Sequence, residues 1–294
     1  MAERRAWFER HGDELRGFLL REPRGHTNMF GAIVTPPANP EADFGLIFLD
    51  NDGTLSMCGH GTIGAVTALA ELGRTHKEEV LLDTPSGLVS CRIHWKEGTV
   101  RAVTFRNVPS FFLQTVQWRG IPLHLSYGGN LFALVEASSL NVELKQQDLR
   151  EIVELGMTIR RWINRNLSFH HPATGDPLSV DLVEFYEEAD PPRNVVVFGR
   201  GQVDRSPCGT GTAAKMAFLH ARGDLGIGKE YRYQSILRTE FVGRIVSKMK
   251  VGNRFGIIPE VKGSAYVMAV SSLVLSEGDP FPVGFDLEGE EVEE

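Results

Sequence analysis

Two short segments of this chain, Cys58-Gly59-His60-Gly61-Thr62 and Cys208-Gly209-Thr210-Gly211-Thr212, share the pattern C-G-x-G-T and lie 150 residues apart, about half of the 294-residue sequence. Ten residues before each Cys an apolar run closes on Phe, Gly45-Leu46-Ile47-Phe48 in one case and Val195-Val196-Val197-Phe198 in the other. After each pattern comes a helix-like stretch, Ile63 to Leu72 and Ala213 to Ala221, followed by Gly73 or Gly223 where helices commonly stop. Both segments therefore read as strand, loop, cysteine, helix, and the chain reads as an internal duplication. Two like lobes facing each other would set two cysteines, each at a helix N-terminus, across one cleft.

The surrounding pattern fits that plan. Trp7, Phe8, His11, Leu15, Phe18 and Leu19 recur at helical spacing and predict a helix from Ala2 to about Leu20, ended by Pro23 and Gly25. Short strands are expected at 30–34, 45–49, 80–82, 88–93 and 100–105, and a second helix over about 144–163. The segment Ser126 to Ala137, with Gly128-Gly129-Asn130 before Leu131 to Val135, reads as the strand that opens the second half. Shifted back by 150 it falls before Met1. The first half is therefore expected to lack its opening strand, as a truncated chain or one with a misplaced start codon would, unless that half closes in another way.

Composition narrows the function classes. With 42% hydrophobic and 23% charged residues the chain can bury a large core. A net charge of −7 without a basic stripe argues against a nucleic-acid partner. No apolar run approaches the roughly 18 residues of a membrane span, and the first 25 residues are studded with charge where a secretory signal would be apolar. A cytoplasmic protein is expected. The three cysteines, Cys58, Cys91 and Cys208, form no C-x-x-C pair, which speaks against a disulfide framework and structural zinc; Cys58 and His60 alone are too few ligands for a metal. Lys215 stands at the wrong spacing for a phosphate loop. The residues from Asp286 to Glu294 include six acids and are expected to form a solvated tail.

A thiol at a helix N-terminus is expected to lie below its ordinary pKa of about 8.5 and to serve as a base. The N–H groups of Gly59, His60, Gly209 and Thr210 could hold a carboxylate between two helix starts. With one thiol on each face of an α-carbon, a proton can leave on one side and arrive on the other without any cofactor. Cys91 has no such context and reads as structural.

At these residues the chain resembles the proline racemase family, which includes the hydroxyproline 2-epimerases. The matching stretches are Pro23-Arg24-Gly25-His26, Met57 to Gly64, Asn107-Val108-Pro109-Ser110-Phe111, Gly128-Gly129-Asn130, Asp204 to Thr212, and Gly263-Ser264-Ala265-Tyr266. The resemblance implies an α/β (α+β) fold of the diaminopimelate epimerase type, two pseudo-symmetric lobes that are each a curled sheet around a central helix. The lobes are expected at 1–123, completed by 273–294, and at 124–272. The resemblance further implies that Cys58 and Cys208 are the acid/base pair, that His60 and Asp204 hold the substrate nitrogen, and that the N–H groups of Gly59, Gly209 and Thr210 bind the carboxylate. Family members that dehydrate 3-hydroxyproline typically lose one of the two cysteines, and both are kept here. The family's usual opening strand with a His-Thr-x-Gly-Glu-Pro-like motif is missing, in line with the gap in the repeat.

Phe30, Leu55 and Phe198 are implied to contact the substrate ring. All three are apolar, which favours proline over 4-hydroxyproline. The expected activity is cofactor-independent interconversion of L- and D-proline, with 4-hydroxyproline 2-epimerisation or an inactive amino-acid-binding remnant as alternatives. No metal is expected, the partner is a small amino acid, and a homodimer is an assembly this reading allows.

Overall fold

The computed structural model describes residues 1–286, so the acidic tail expected from Asp286 onward lies, apart from Asp286 itself, outside the described residues. The single helix expected over the first 20 residues is two, α1 (Ala2–His11) and α2 (Asp13–Leu20). Gly12 divides them. Its N–H closes α1 on the Phe8 carbonyl at 2.7 Å, and a methyl at position 12 would sit 2.5 Å from the Phe8 ring. Side-chain spacing cannot reveal such a break, because the apolar period runs on through the glycine.

The chain continues through β1 (Gly31–Thr35), β2 (Phe44–Leu49), β3 (Thr54–Leu55), α3 (Gly59–Glu71), β4 (Glu79–Thr84), β5 (Gly87–Lys96) and β6 (Thr99–Arg106). Next come β7 (Phe111–Trp118), β8 (Ile121–Tyr127), β9 (Leu131–Glu136), α4 (Leu149–Asn166), β10 (Phe169–His170) and β11 (Pro177–Leu178). The described elements end with β12 (Val180–Glu187), β13 (Arg193–Phe198), β14 (Gln202–Val203), α5 (Gly209–Arg222), β15 (Glu230–Gln234), β16 (Glu240–Val251) and β17 (Arg254–Gly263). The helix expected over 144–163 starts later, at Leu149, because a 3-10 turn at Gln146–Asp148 precedes it.

Hydrogen bonds link the strands in the order β1-β2-β4-β5-β6-β17-β16-β15-β13-β12-β9-β8-β7. The 150-residue repeat is written into the register. Ile33 pairs Ile47 between β1 and β2 as Val183 pairs Val197 between β12 and β13. β2 runs parallel to β4, as β13 runs parallel to β15. The two series meet at β6 and β17, which pair antiparallel. β12 has a further parallel neighbour, β9, whereas β1 ends the sheet on its side among the described residues.

The division expected at residue 123 needs correction, since it falls inside β8. β7 and β8 pair with each other, and β8 pairs with β9, so by hydrogen bonding all three extend the second half of the sheet. Beyond β17 the chain returns to the first half without forming a strand. Phe285 bridges Glu22 just after α2, and Asp279 pairs with Arg24 at 2.7 Å.

α3 and α5 share the main core, which runs from Leu46 and Phe48 through Val66, Phe105 and Phe132 to Phe241 and Val261. α5 is buried without interruption from Gly209 to Phe218. A second core lies where α4 covers β12 and β13, and a small third one joins Phe8 and Leu20 to Ile47 and Leu49. Among the described residues, no helix is long and apolar enough to cross a membrane.

Candidate active site

The two repeated motifs meet glycine to glycine. A methyl on Gly59 would lie 2.6 Å from Gly209 Cα, so only two glycines let the starts of α3 and α5 approach this closely. Cys58 and Cys208 are the residues immediately before the two helices. Each motif threonine turns back on its cysteine: Thr62 donates to the Cys58 carbonyl at 2.8 Å and Thr212 to the Cys208 carbonyl at 2.7 Å. Repetition thus builds two equal helix starts around one point.

The ten residues expected in the site, Phe30, Leu55, Cys58, Gly59, His60, Phe198, Asp204, Cys208, Gly209 and Thr210, all line one small cavity at that point. Met57, Asn130 and Leu182 complete its wall. Of these three, Asn130 carried a sequence signal, the Gly-Gly-Asn stretch after β8; its amide donates to the Met57 carbonyl at 3.2 Å. Leu182 arrives on β12, and nothing in its local sequence distinguishes it from other strand residues. The Phe30 ring lies 4.8 Å from the Phe198 ring and meets His60 edge-on at 4.3 Å, forming an apolar wall. Toward solvent, Phe30, His60 and Asp204 also line an open groove with Ser206, Phe241 and Tyr266. Cys91 lies away from the cavity on β5, fully buried, and burial pushes its thiol up.

His60 and Thr210 occupy equivalent places in the repeat, and here the halves diverge. His60 Nδ1 faces Asp204 Oδ2 at 3.2 Å. Burial opposes charge on His60, but Asp204 and the neighbouring Cys58 together raise the imidazole well above its ordinary value. Burial would raise Asp204 as well, yet His60 and the Ser206 groups beside it bring the carboxyl below the usual range. The pair therefore stands as imidazolium and carboxylate near neutral pH. The Ser206 N–H donates to Asp204 Oδ1 at 2.8 Å, and the Ser206 hydroxyl accepts the Cys208 N–H at 3.0 Å.

The thiols differ too. The Cys58 sulfur accepts the Gly61 N–H at 3.4 Å with the backbone at φ −141°, an extended conformation. Cys208 adopts φ +58°, a left-handed conformation that costs of order 1–3 kcal/mol for a non-glycine residue and persists only when its neighbours hold it. Besides Ser206 and Thr212, Asn194 holds it by donating to the Pro207 carbonyl at 2.8 Å. The expectation that both helix starts lower their thiols is corrected at Cys208. Burial pushes this thiol well above its ordinary value, the carboxylates of Asp204 and Glu184 add to the rise, and the Gly211 N–H and Thr210 hydroxyl only partly oppose it. Among the described residues, no group of three or more His, Cys, Asp or Glu side chains is placed to hold a metal ion.

Known proteins that match this chain are numerous. The model of the proline racemase family matches residues 1–286. The proline racemase of Clostridioides difficile is 42% identical over 98% of this chain and 90% of its own length. The 4-hydroxyproline 2-epimerase of Streptosporangium roseum is 39% identical over 97% of this chain and 90% of its own. The crystal structure of a hydroxyproline epimerase from Agrobacterium vitis, with trans-4-hydroxy-L-proline bound, superimposes with a TM-score of 0.91 at 30% identity, covering 99% of this chain and 90% of that one. Relatives acting on either amino acid match to a similar degree, so the likeness fixes the family and leaves the ring substituent open. The chain belongs to the proline racemase family of isomerases.

Proposed function

We propose that this chain interconverts L- and D-proline by proton transfer between two thiols. The observation that carries the reading is one cavity lined by both helix-start cysteines, with an apolar side made by Phe30, Leu55, Leu182 and Phe198. The substrate carboxylate binds the N–H groups of Gly59, Gly209 and Thr210, which as first-turn donors lack partners inside their helices. Asp204, kept ionised by His60, receives the substrate ammonium. Cys58 as thiolate takes the α-proton, and the electron pair left on carbon is stabilised by the bound carboxylate. Cys208, whose thiol rests protonated, delivers its proton to the other face. The enantiomer leaves, and the proton has passed in effect from Cys208 to Cys58. The two halves, read as lobes of a diaminopimelate-epimerase-like fold with α3 and α5 as their central helices, supply one thiol each.

Proline is favoured over 4-hydroxyproline because the wall offers a ring hydroxyl few partners. Asn130 already donates its amide to Met57, and a buried hydroxyl left unpaired costs about 1–3 kcal/mol. Incubation with L-proline and with trans-4-hydroxy-L-proline in deuterated water tests the reading. It expects deuterium at the α-carbon together with loss of optical activity, and a higher kcat/KM for proline. A higher kcat/KM for 4-hydroxyproline would assign the chain to epimerisation, and the absence of exchange with either would leave only amino-acid binding.

A further inference from the structure

The two helix starts share their glycine and threonine contacts, and differ in the backbone of the cysteine and in what stands behind each thiol. A methyl on Gly61 would lie 3.0 Å from Cys58 Sγ and 3.2 Å from the Phe48 ring. The same methyl on Gly211 would lie 3.2 Å from Cys208 Sγ and 2.3 Å from Glu184 Oε2. A carboxyl group therefore flanks Cys208 where a phenyl ring flanks Cys58. Glu184 sits on β12 and is fully buried; its Oε1 accepts the Tyr233 hydroxyl at 2.6 Å, and the Asn194 side chain lies within hydrogen-bonding reach of the carboxyl. Burying a carboxyl is costly, so one placed beside a reactive thiol calls for a reason. The repeat shows that the fold does not supply it. Val34 holds the equivalent place on β1, pairing Leu46 as Glu184 pairs Val196.

We propose that Glu184 is a positioning residue that sets the proton on Cys208, so that the two thiols enter the reaction in unequal states with Cys208 as the proton donor. Glu184 is faced by Tyr233 on β15, Lys215 on α5, Asn194 on β13 and Asp204 ahead of α5. Lys215 is itself buried, 2.9 Å from Glu188 and 3.0 Å from the centre of the Tyr186 ring, so its charge is shared with a second acid. Burial raises Glu184 to about 7 against the opposing hydrogen bonds and Lys215. The carboxyl thus changes charge near neutrality, and its ionised form disfavours a thiolate on Cys208. The two groups titrate as a coupled pair, faced on the sulfur side by Asp204, Thr210 and the Gly211 N–H.

This inference rests on the reading of Cys208 as an acid/base group, and its test separates the two. Alkylation of each cysteine by iodoacetamide is followed against pH by peptide mass spectrometry, with Cys58 in the same molecule as reference. In Glu184→Gln the Cys208 midpoint is expected to fall by about one pH unit or more while that of Cys58 stays in place. Glu184→Asp, which keeps the charge, is expected to restore the Cys208 midpoint toward wild type. An unchanged Cys208 midpoint in Glu184→Gln, or an equal shift at both cysteines, overturns the proposal. If Glu184→Gln does not fold, Glu184→Met serves instead: it removes the charge while filling the same apolar space, it is expected to lower the Cys208 midpoint, and no shift there overturns the proposal equally. Failure of the underlying reading would show elsewhere, as racemisation that survives Cys208→Ser.

Discussion

The outer faces of the two halves of the sheet follow one plan and are filled very differently. On the second half, α4 lays Ile152, Ile159 and Ile163 over β12 and β13, and β9 continues the sheet past β12, closing off Val183, Phe185, Val195 and Val197. On the first half, α1 and α2 bring only Phe8 and Leu20 into full contact with Ile47 and Leu49. β1 has no outer neighbour among the described residues, Val34 on it is 44% exposed, and Trp7 above it is 57% exposed. Cohesion therefore resides in the second half and in the core shared by α3 and α5. Cys58 hangs from the thinner half and Cys208 from the thicker one, yet the proposed reaction needs both at near-contact geometry.

The largest expected effect asks whether the thin half is chemically equal to the thick one. Cys58→Ser and Cys208→Ser are each expected to lower racemisation by at least about a thousandfold, since either change leaves one face of the α-carbon without a proton carrier. Cys91→Ser, on β5 away from the cavity, is expected to keep near-wild-type activity. Optical rotation of L-proline against time measures all three. Survival of either active-site variant near the wild-type rate would break the equivalence of the two thiols.

Stability should divide the halves next. Ile159 is fully buried in the α4 core, and Ile159→Ala is expected to cost about 3 kcal/mol. Phe8 is larger, but it sits in a small cluster at the rim, where truncation lets neighbours and water close the gap. Phe8→Ala is therefore expected to cost less than Ile159→Ala, reversing the order that residue size alone would give. Urea midpoints decide between them, and an equal or greater loss at Phe8 would mean that the outer layers are equivalent.

A third test concerns the pair that joins the halves, His60 of the first motif with Asp204 just ahead of the second. In Asp204→Asn the imidazole of His60 loses its main stabiliser, and its titration, followed by the NMR shift of the ring proton, is expected to move down from its elevated value. The sign for stability follows from the raised folded value. His60 contributes fully below the unfolded value of about 6.5 and loses that contribution as pH rises through the folded one, a loss the variant should no longer show. KM for proline is expected to rise about thirtyfold through loss of a charge-assisted contact.

Much of this arrangement could be read from sequence because it rests on residues whose type is forced. Gly59 and Gly209 are fixed by the approach of two helices, Thr62 and Thr212 by their bonds to the cysteine carbonyls, and a repeat makes each case visible twice. The strands at 31–35, 44–49 and 99–106 followed from apolar runs bounded by turn residues. What stayed hidden depends on contacts between distant segments. Glu184 is one of three acids in its strand, with nothing local to single it out until β12 brings it behind α5, and β7 and β8 give no local sign of which half they join. The raised Cys208 thiol was hidden for the same reason. A helix start lowers a thiol, but burial beside two carboxylates outweighs it, and of these only Asp204 stands near it in the chain, while Glu184 comes from a distant strand.

The smallest expected effect contrasts two phenylalanines at equivalent places in the repeat. Phe48 is the last residue but one of β2 and Phe198 the last of β13, yet Phe48 packs behind Gly61 in the main core while Phe198 lines the cavity against Phe30. The same residue type therefore serves packing alone in one half and, on the proposed reading, also meets the substrate ring in the other. Phe198→Ser would place a hydroxyl where the substrate ring lies and remove apolar area that proline uses. The kcat/KM ratio of 4-hydroxyproline to proline is expected to rise about tenfold, since one new hydrogen-bond partner against one lost apolar contact is worth a discrimination of that order. Phe48→Leu, which keeps the core filled, should leave the ratio where it is while lowering the melting temperature slightly. An unchanged ratio in Phe198→Ser would show that this ring does not face the substrate, and a changed ratio in Phe48→Leu would show that selectivity is transmitted through the first-half core instead of being read at the cavity wall.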